Sequence, residues 1–345
     1  MQNRGRNIWR YFQRASLYAA SLLMLACASF GHHPEQVLIR DPLLDHYTDP
    51  EQASQTARLQ WEFAVMSENA YREGLTQNDE AAHKRIPHAR LSEANVRRAC
   101  ADDSLELPLS GWRKWDFPGP ELKQRLLDEG LYMEVQEKWI PPHTIAVVFE
   151  GSKLTRLSDW KANMNWALRF IPTHKDQYVL TASIVLDAFY AELAKRKDEL
   201  QFDPNTGMLH RRDGSPVRIV SAGHSLGAGL AQYFAYTFRR PAAMTPGPRV
   251  TEVFAFDPSP VTGWFSAADQ ARDDSVTGLQ IRRIFEDGEI LSYLRLLTSR
   301  LGMSAQNPAI WEYRYNFEKG INSFDKHSIR RLACGLTMAA KPWEK

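Results

Sequence analysis

Ser225 lies in Gly223-His224-Ser225-Leu226-Gly227, directly after the apolar run Val217 to Ala222 and directly before the helical pattern Leu226 to Arg240. A G-x-S-x-G sequence between a strand and a helix makes a sharp turn that holds a serine hydroxyl clear of the backbone. Such a turn needs small neighbours, and Gly223 and Gly227 supply them. A hydroxyl becomes a useful nucleophile when a base takes its proton, and in sites of this kind the chain order is serine, acid, histidine. Of the ten histidines only His327 follows Ser225, so His327 is the predicted base. His224 adjoins the serine but is expected to point away around the turn, in a structural role.

Eleven carboxylates lie between Ser225 and His327, and strand position narrows them. Glu289 and Asp287 follow the run Ile281 to Phe285, and Asp257 follows Val253 to Phe256. Each belongs where sites of α/β sheets are built, at the carboxyl edge, and each is a candidate to orient His327 and fix its tautomer. For the negative charge that develops on an attacked carbonyl, one donor is expected from the Leu226 amide. The other is expected from Ser152, which follows the apolar run Thr144 to Phe149 and the Glu150-Gly151 turn.

These residues need a scaffold. Leu131 to Val135, Thr144 to Phe149, Val217 to Ala222, Val250 to Phe256 and Leu279 to Phe285 are short apolar runs, most of them near-continuous, as in strands buried on both faces. Helical patterns lie between them at Ala182 to Lys197 and Leu226 to Arg240, and a further amphipathic helix is predicted over Ala57 to Tyr71. Alternating strand and helix predicts an α/β fold with a mostly parallel central sheet covered on both sides. The expected organisation is a leader at 1–27, a helix-and-loop preamble at 28–130 packed on the core, and the core itself at 131–345. Val261 to Gly278 and Ser292 to Lys326 read as inserts that shape the substrate pocket. Trp160 to Tyr178 reads as a packed surface helix and loop, with a lid as the alternative.

The 43 basic and 41 acidic residues give a net charge of +2, but Arg4, Arg6, Arg10 and Arg14 all lie in the leader. Without those four the balance is 39 against 41, and the remaining basic doublets are scattered, which argues against nucleic acid as a partner. Leu17 to Ala28 is apolar but short for a membrane span, so the leader reads as an export signal. Ala26-Cys27-Ala28 permits ordinary cleavage, and Leu25-Ala26-Cys27 has the form of a bacterial lipoprotein box, in which Cys27 would be acylated and touch a membrane surface. The expected location is therefore exported, either in a bacterial envelope or secreted. Cys100 and Cys334 then either pair or remain buried thiols. No His-Glu-x-x-His, paired Cys-x-x-Cys or phosphate loop occurs, and no metal or organic cofactor is expected.

Taken together, Ser67-Glu-Asn-Ala70-Tyr71, the Phe149-Glu-Gly151-Ser152 turn with Asp159-Trp160, the Gly223 to Ala231 elbow and the late His327 resemble the class 3, fungal-type lipases of the α/β-hydrolase superfamily. The resemblance covers about residues 60 to 335. It implies an α/β-hydrolase fold and hydrolysis of carboxylic esters of acylglycerols or phospholipids. It also implies Ser152 as an oxyanion donor, with Glu150 where the family has arginine, and it favours Glu289 as the acid. Phe256-Asp257-Pro258-Ser259-Pro260 is similar instead to the acid segment of pancreatic-type lipases, which keeps Asp257 in contention ahead of Asp287. A non-catalytic acyl-binding lipoprotein and an acyltransferase using the same residues are the alternative functions.

Overall fold

The near-continuous apolar runs form the middle of one sheet, where both faces are covered. In chain order the strands are β1 (Val37–Arg40), β2 (Asp45–Thr48), β3 (Trp112–Lys114), β4 (Met133–Lys138), β5 (Thr144–Phe149), β6 (Leu200–Phe202), β7 (Leu209–Arg211), β8 (Pro216–His224), β9 (Glu252–Phe256), β10 (Gln280–Glu286) and β11 (Ala309–Tyr315). The helices are α1 (Pro50–Arg58), α2 (Trp61–Leu75), α3 (Glu93–Ala101), α4 (Pro120–Asp128), α5 (Leu186–Lys195), α6 (Leu226–Thr237), α7 (Asp269–Val276) and α8 (Ile329–Ala340). The computed structural model describes residues 37–40, 45–75, 90–151, 178, 181–203, 205–238, 248–291, 307–318 and 320–344, all within one unit spanning 36–345.

Across the sheet the order is β2-β1-β11-β10-β9-β8-β5-β4-β3, with β6 and β7 a hairpin against the start of β8. The five central strands β5, β8, β9, β10 and β11 are parallel, and antiparallel pairs close both sides. Alternation along the strands divides the core in two. Ile145, Val147, Phe149, Ile219, Val253 and Ile281 pack with Phe189 of α5 and with Leu230 and Phe234 of α6. Ala146, Val148, Val220, Ala222, Phe254 and Ile284 pack with Phe63 and Met66 of α2 and with Leu332 and Leu336 of α8. The fold is thus α/β, with a mixed and mostly parallel central sheet between helical layers.

Three local expectations change. The helix expected over Ala57 to Tyr71 is two helices, because the chain turns at Leu59 and Gln60, whose amides bond back to the Thr56 and Ala57 carbonyls at 3.1 and 3.0 Å. Asp49 starts the first of them by accepting from the Gln52 amide at 2.8 Å, with Pro50 in the first turn. The segment Ser292 to Lys326, read as an insert, contains β11, a full member of the parallel set. Its Tyr313 and Tyr315 are buried while Glu312 and Arg314, which alternate with them, are half-buried, so it lacks the continuous apolar run of its neighbours. The preamble 28–130, read as helix and loop, also contributes β1, β2 and β3 to the sheet.

Part of that preamble is strapped to α8. Cys100 of α3 and Cys334 of α8 form a disulfide, with Cα atoms 5.8 Å apart. One turn earlier Arg330 pairs with Glu68 of α2 at 3.3 Å and donates to the carbonyls of Ala99, Asp102 and Leu105. Because α8 begins just after His327, this strap also anchors the segment that carries the histidine. Among the described residues no helix is long and apolar enough to cross a membrane. The disulfide closes a loop of 234 residues, and its removal frees the unfolded chain. Joint Cys100→Ser and Cys334→Ser substitution should lower the unfolding free energy by about 2 to 5 kcal/mol in denaturant titrations. An unchanged midpoint would show that the bond contributes nothing.

Candidate active site

The carboxyl end of β8 runs into α6 through Ser225, whose φ of 55° and ψ of −117° lie outside the regions most side chains adopt. Three hydrogen bonds hold that bend: the Ser225 amide donates to the Phe256 carbonyl at 3.0 Å, and the Ser225 carbonyl accepts from the amides of Ser259 at 3.0 Å and Gly229 at 3.4 Å. The glycines are required by packing. A Cβ at Gly223 would overlap the Gly227 backbone, and one at Gly227 would overlap the Phe149 carbonyl and the Glu150 backbone. α6 can therefore begin hard against the end of β5, with the Leu226 amide in its first turn beside Ser225.

His327 closes a short 3-10 turn, Asp325–His327, and is followed by Ser328, which caps α8 by accepting from the Arg331 amide at 3.5 Å. Its Nε2 lies 3.2 Å from Ser225 Oγ, and its Nδ1 lies 3.0 Å from Glu289 Oε2. Glu289 is fully buried, and the same oxygen accepts the Leu291 amide at 2.8 Å. Gly288, at φ 75°, makes the turn that brings Glu289 inward from the end of β10. Two bonds join this turn to the histidine loop: the Ile290 amide donates to the Ser323 carbonyl at 3.1 Å, and Lys326 Nζ donates to the Asp287 carbonyl at 2.7 Å.

Of the three carboxylates considered, Glu289 meets His327 by hydrogen bond. Asp257, at φ 40° and fully buried, holds its Oδ2 3.6 Å from His224 Nε2. Asp287 faces Arg314 at 3.8 Å. Leu226 opens α6 directly after Ser225, whereas Ser152, Cys27, the leader 1–27 and residues 160–177 of the lid candidate lie outside the described residues. Tyr178 is described, and its hydroxyl donates to the Val261 carbonyl at 2.8 Å.

His224, expected in a structural role, meets Tyr71 and the main chain of His327. Its Nδ1 lies 2.9 Å from the Tyr71 hydroxyl and its Nε2 3.1 Å from the His327 carbonyl. Burial, with Glu150 and Glu68 nearby, raises the Tyr71 pKa well above its ordinary value, so the phenol keeps its proton. Nothing in the spacing signals this contact, since Tyr71 and His224 are 153 residues apart. His224, Asp257 and His327 each bring one possible ligand atom within 4.8 Å of the others. Both ring nitrogens of both histidines already lie within hydrogen-bonding distance of protein partners, so a metal would have to displace that network.

Chemically, the arrangement can move a proton from Ser225 Oγ to His327 and stabilise the resulting imidazolium through Glu289. No protein-family profile and no curated protein sequence matches the chain. Among solved structures it is similar to the native Rhizomucor miehei lipase propeptide complex, at 12% identity and a TM-score of 0.37 over 88% of this chain and 84% of that one. It is similar also to a two-residue deletion mutant of that complex, at 13% identity and a TM-score of 0.38 over 86% and 79%. A likeness this weak carries no argument.

Behind Glu289 sits a second carboxyl. Glu286 is 2% exposed, its Oε1 accepts the Glu318 amide at 2.9 Å, and its Oε2 has no hydrogen-bond partner among the described residues. Burial pushes its pKa up to about 8, against the pull of the Glu318 and Phe317 amides and Lys326, and Asp257 adds to the rise. The unfolded chain releases this proton near the ordinary carboxylate range, while the folded chain keeps it until about pH 8. Stability should therefore fall as pH rises through that window. Glu286→Gln should remove this slope and stabilise the protein at neutral pH, read from urea midpoints between the two limits; a variant whose slope matches wild type would refute the burial effect.

Proposed function

We propose that the chain is a serine hydrolase of α/β-hydrolase type that cleaves carboxylic esters, of acylglycerols or phospholipids, through an acyl-enzyme. The observation that carries this reading is His327 lying between Ser225 Oγ at 3.2 Å and Glu289 Oε2 at 3.0 Å, on a serine whose backbone is bent to φ 55°. In the proposed reaction His327 Nε2 takes the Ser225 proton as Oγ attacks the ester carbonyl. The charge that develops on the imidazole is stabilised by buried Glu289, and the carbonyl oxygen turns toward the Leu226 amide, with Ser152 the proposed second donor. The imidazolium then protonates the leaving alcohol. A water molecule, deprotonated by the same imidazole, attacks the acyl carbon and frees the acid and Ser225 Oγ.

The finer assignment, to a class 3 lipase-like enzyme with Cys27 as a lipid anchor, rests on the sequence motifs. Export is supported by the Cys100 to Cys334 disulfide, a bond that persists in oxidising compartments.

Labelling by a fluorophosphonate and turnover of p-nitrophenyl esters of graded chain length test the reading. Wild type should label and turn over, and Ser225→Ala should do neither. Glu289→Gln should lower kcat by up to about ten-thousandfold, with Asp257→Asn costing far less. Labelling that survives Ser225→Ala would overturn the nucleophile, and full activity in Glu289→Gln would overturn the acid.

A further inference from the structure

Three segments must keep their positions for the proposed reaction: the elbow at Ser225, the loop carrying His327 and the turn at Gly151 before Ser152. One line of polar groups joins all three. The Tyr71 hydroxyl packs against Gly151, it lies 2.9 Å from His224 Nδ1 and 3.4 Å from the His224 carbonyl, and His224 Nε2 lies 3.1 Å from the His327 carbonyl.

Valence sets the direction of each bond. A carbonyl oxygen only accepts, so His224 carries its proton on Nε2; with that one proton the ring accepts at Nδ1, and the Tyr71 hydroxyl donates to it at 2.9 Å, closer than the His224 carbonyl at 3.4 Å. The same Nε2 faces Asp257 Oδ2 at 3.6 Å, where a proton is again favoured. Close packing locks the line in place: a Cβ at Gly151 would overlap both the Tyr71 hydroxyl and the His224 carbonyl, and the His224 and His327 rings lie 4.8 Å apart.

We infer that Tyr71 and His224 are positioning residues, forming a one-directional hydrogen-bond relay that fixes the His327 main chain relative to the Gly151 turn and so sets the reach of the imidazole to Ser225. The inference rests on the proposed reading of Ser225 and His327 as the reacting pair. The amide of Ile290 and the side chain of Glu289 hold the histidine loop from one side; His224 holds it from the other.

The test uses the full chain as wild type, Tyr71→Phe, His224→Leu and His224→Gln. Active sites are counted by fluorophosphonate titration, so that kcat refers to competent sites and a loss of folded protein does not register. Tyr71→Phe and His224→Leu should lower kcat per titrated site by about ten- to hundredfold with little change in KM, the size expected when a reacting group is misplaced. His224→Gln, whose amide can still donate to the His327 carbonyl, should recover part of the loss. Spectra of ¹⁵N-histidine-labelled protein should show His224 protonated on Nε2 alone and His327 resonances that shift in Tyr71→Phe. Wild-type kcat per site in both Tyr71→Phe and His224→Leu, or His224 protonated on Nδ1 instead, would overturn the relay. If wild type neither labels nor turns over, the proposed function fails, and the spectra still decide: His327 resonances unmoved by Tyr71→Phe would overturn the relay as well.

Discussion

The site depends on a backbone conformation that the polypeptide resists. At φ 55° and ψ −117° Ser225 carries strain that persists only because its surroundings over-determine it. Its amide and carbonyl are both engaged, by Phe256, Ser259 and Gly229, and the glycines on either side allow β5, β8 and α6 to approach at contact distance. A bulkier residue at 223 or 227 would push the helix off the sheet and release the bend. The hydroxyl faces His327 because β8 ends where it does and α6 cannot begin anywhere else.

Around that bend the sheet acts as a ruler. β9 and β10 run parallel to β8, so their carboxyl ends deliver Asp257 and Glu289 to the same edge. Register and turn chemistry then separate their roles. Asp257 stays at the strand end, under His224, while Gly288 lets the chain double back and bring Glu289 beneath His327. Under the proposed function, the Glu289 carboxylate in hydrogen-bond contact with the imidazole suits a base that must become cationic for a moment. The histidine itself is held from beyond the sheet, by a helix locked to the preamble through Cys334 and Arg330. The preamble is therefore part of the machinery that holds the site, and not a cover laid over it.

Local signals were readable from sequence and distant ones were not. The elbow could be read because strand, glycine spacing and helix are contiguous, and β5, β8, β9 and β10 could be read because burial on both faces leaves a near-continuous apolar run. β11 is not legible as a buried strand because Glu312 and Arg314 alternate with its aromatics. Chain order alone singles out His327 as the candidate base. The carboxylates could be narrowed to a strand edge but not ranked by spacing, since the turn at Gly288 decides which one faces inward. The link between Tyr71 and His224 and the pairing of Cys100 with Cys334 depend on distances across 153 and 234 residues, which periodicity does not encode.

The most direct measurement is a crystal structure of the fluorophosphonate-treated protein. Phosphorus should be bonded to Ser225 Oγ, with the phosphoryl oxygen about 3 Å from the Leu226 amide and His327 still in contact with Glu289. Phosphorus on any other residue, or a phosphoryl oxygen turned away from the start of α6 with His327 displaced, would contradict the proposed chemistry.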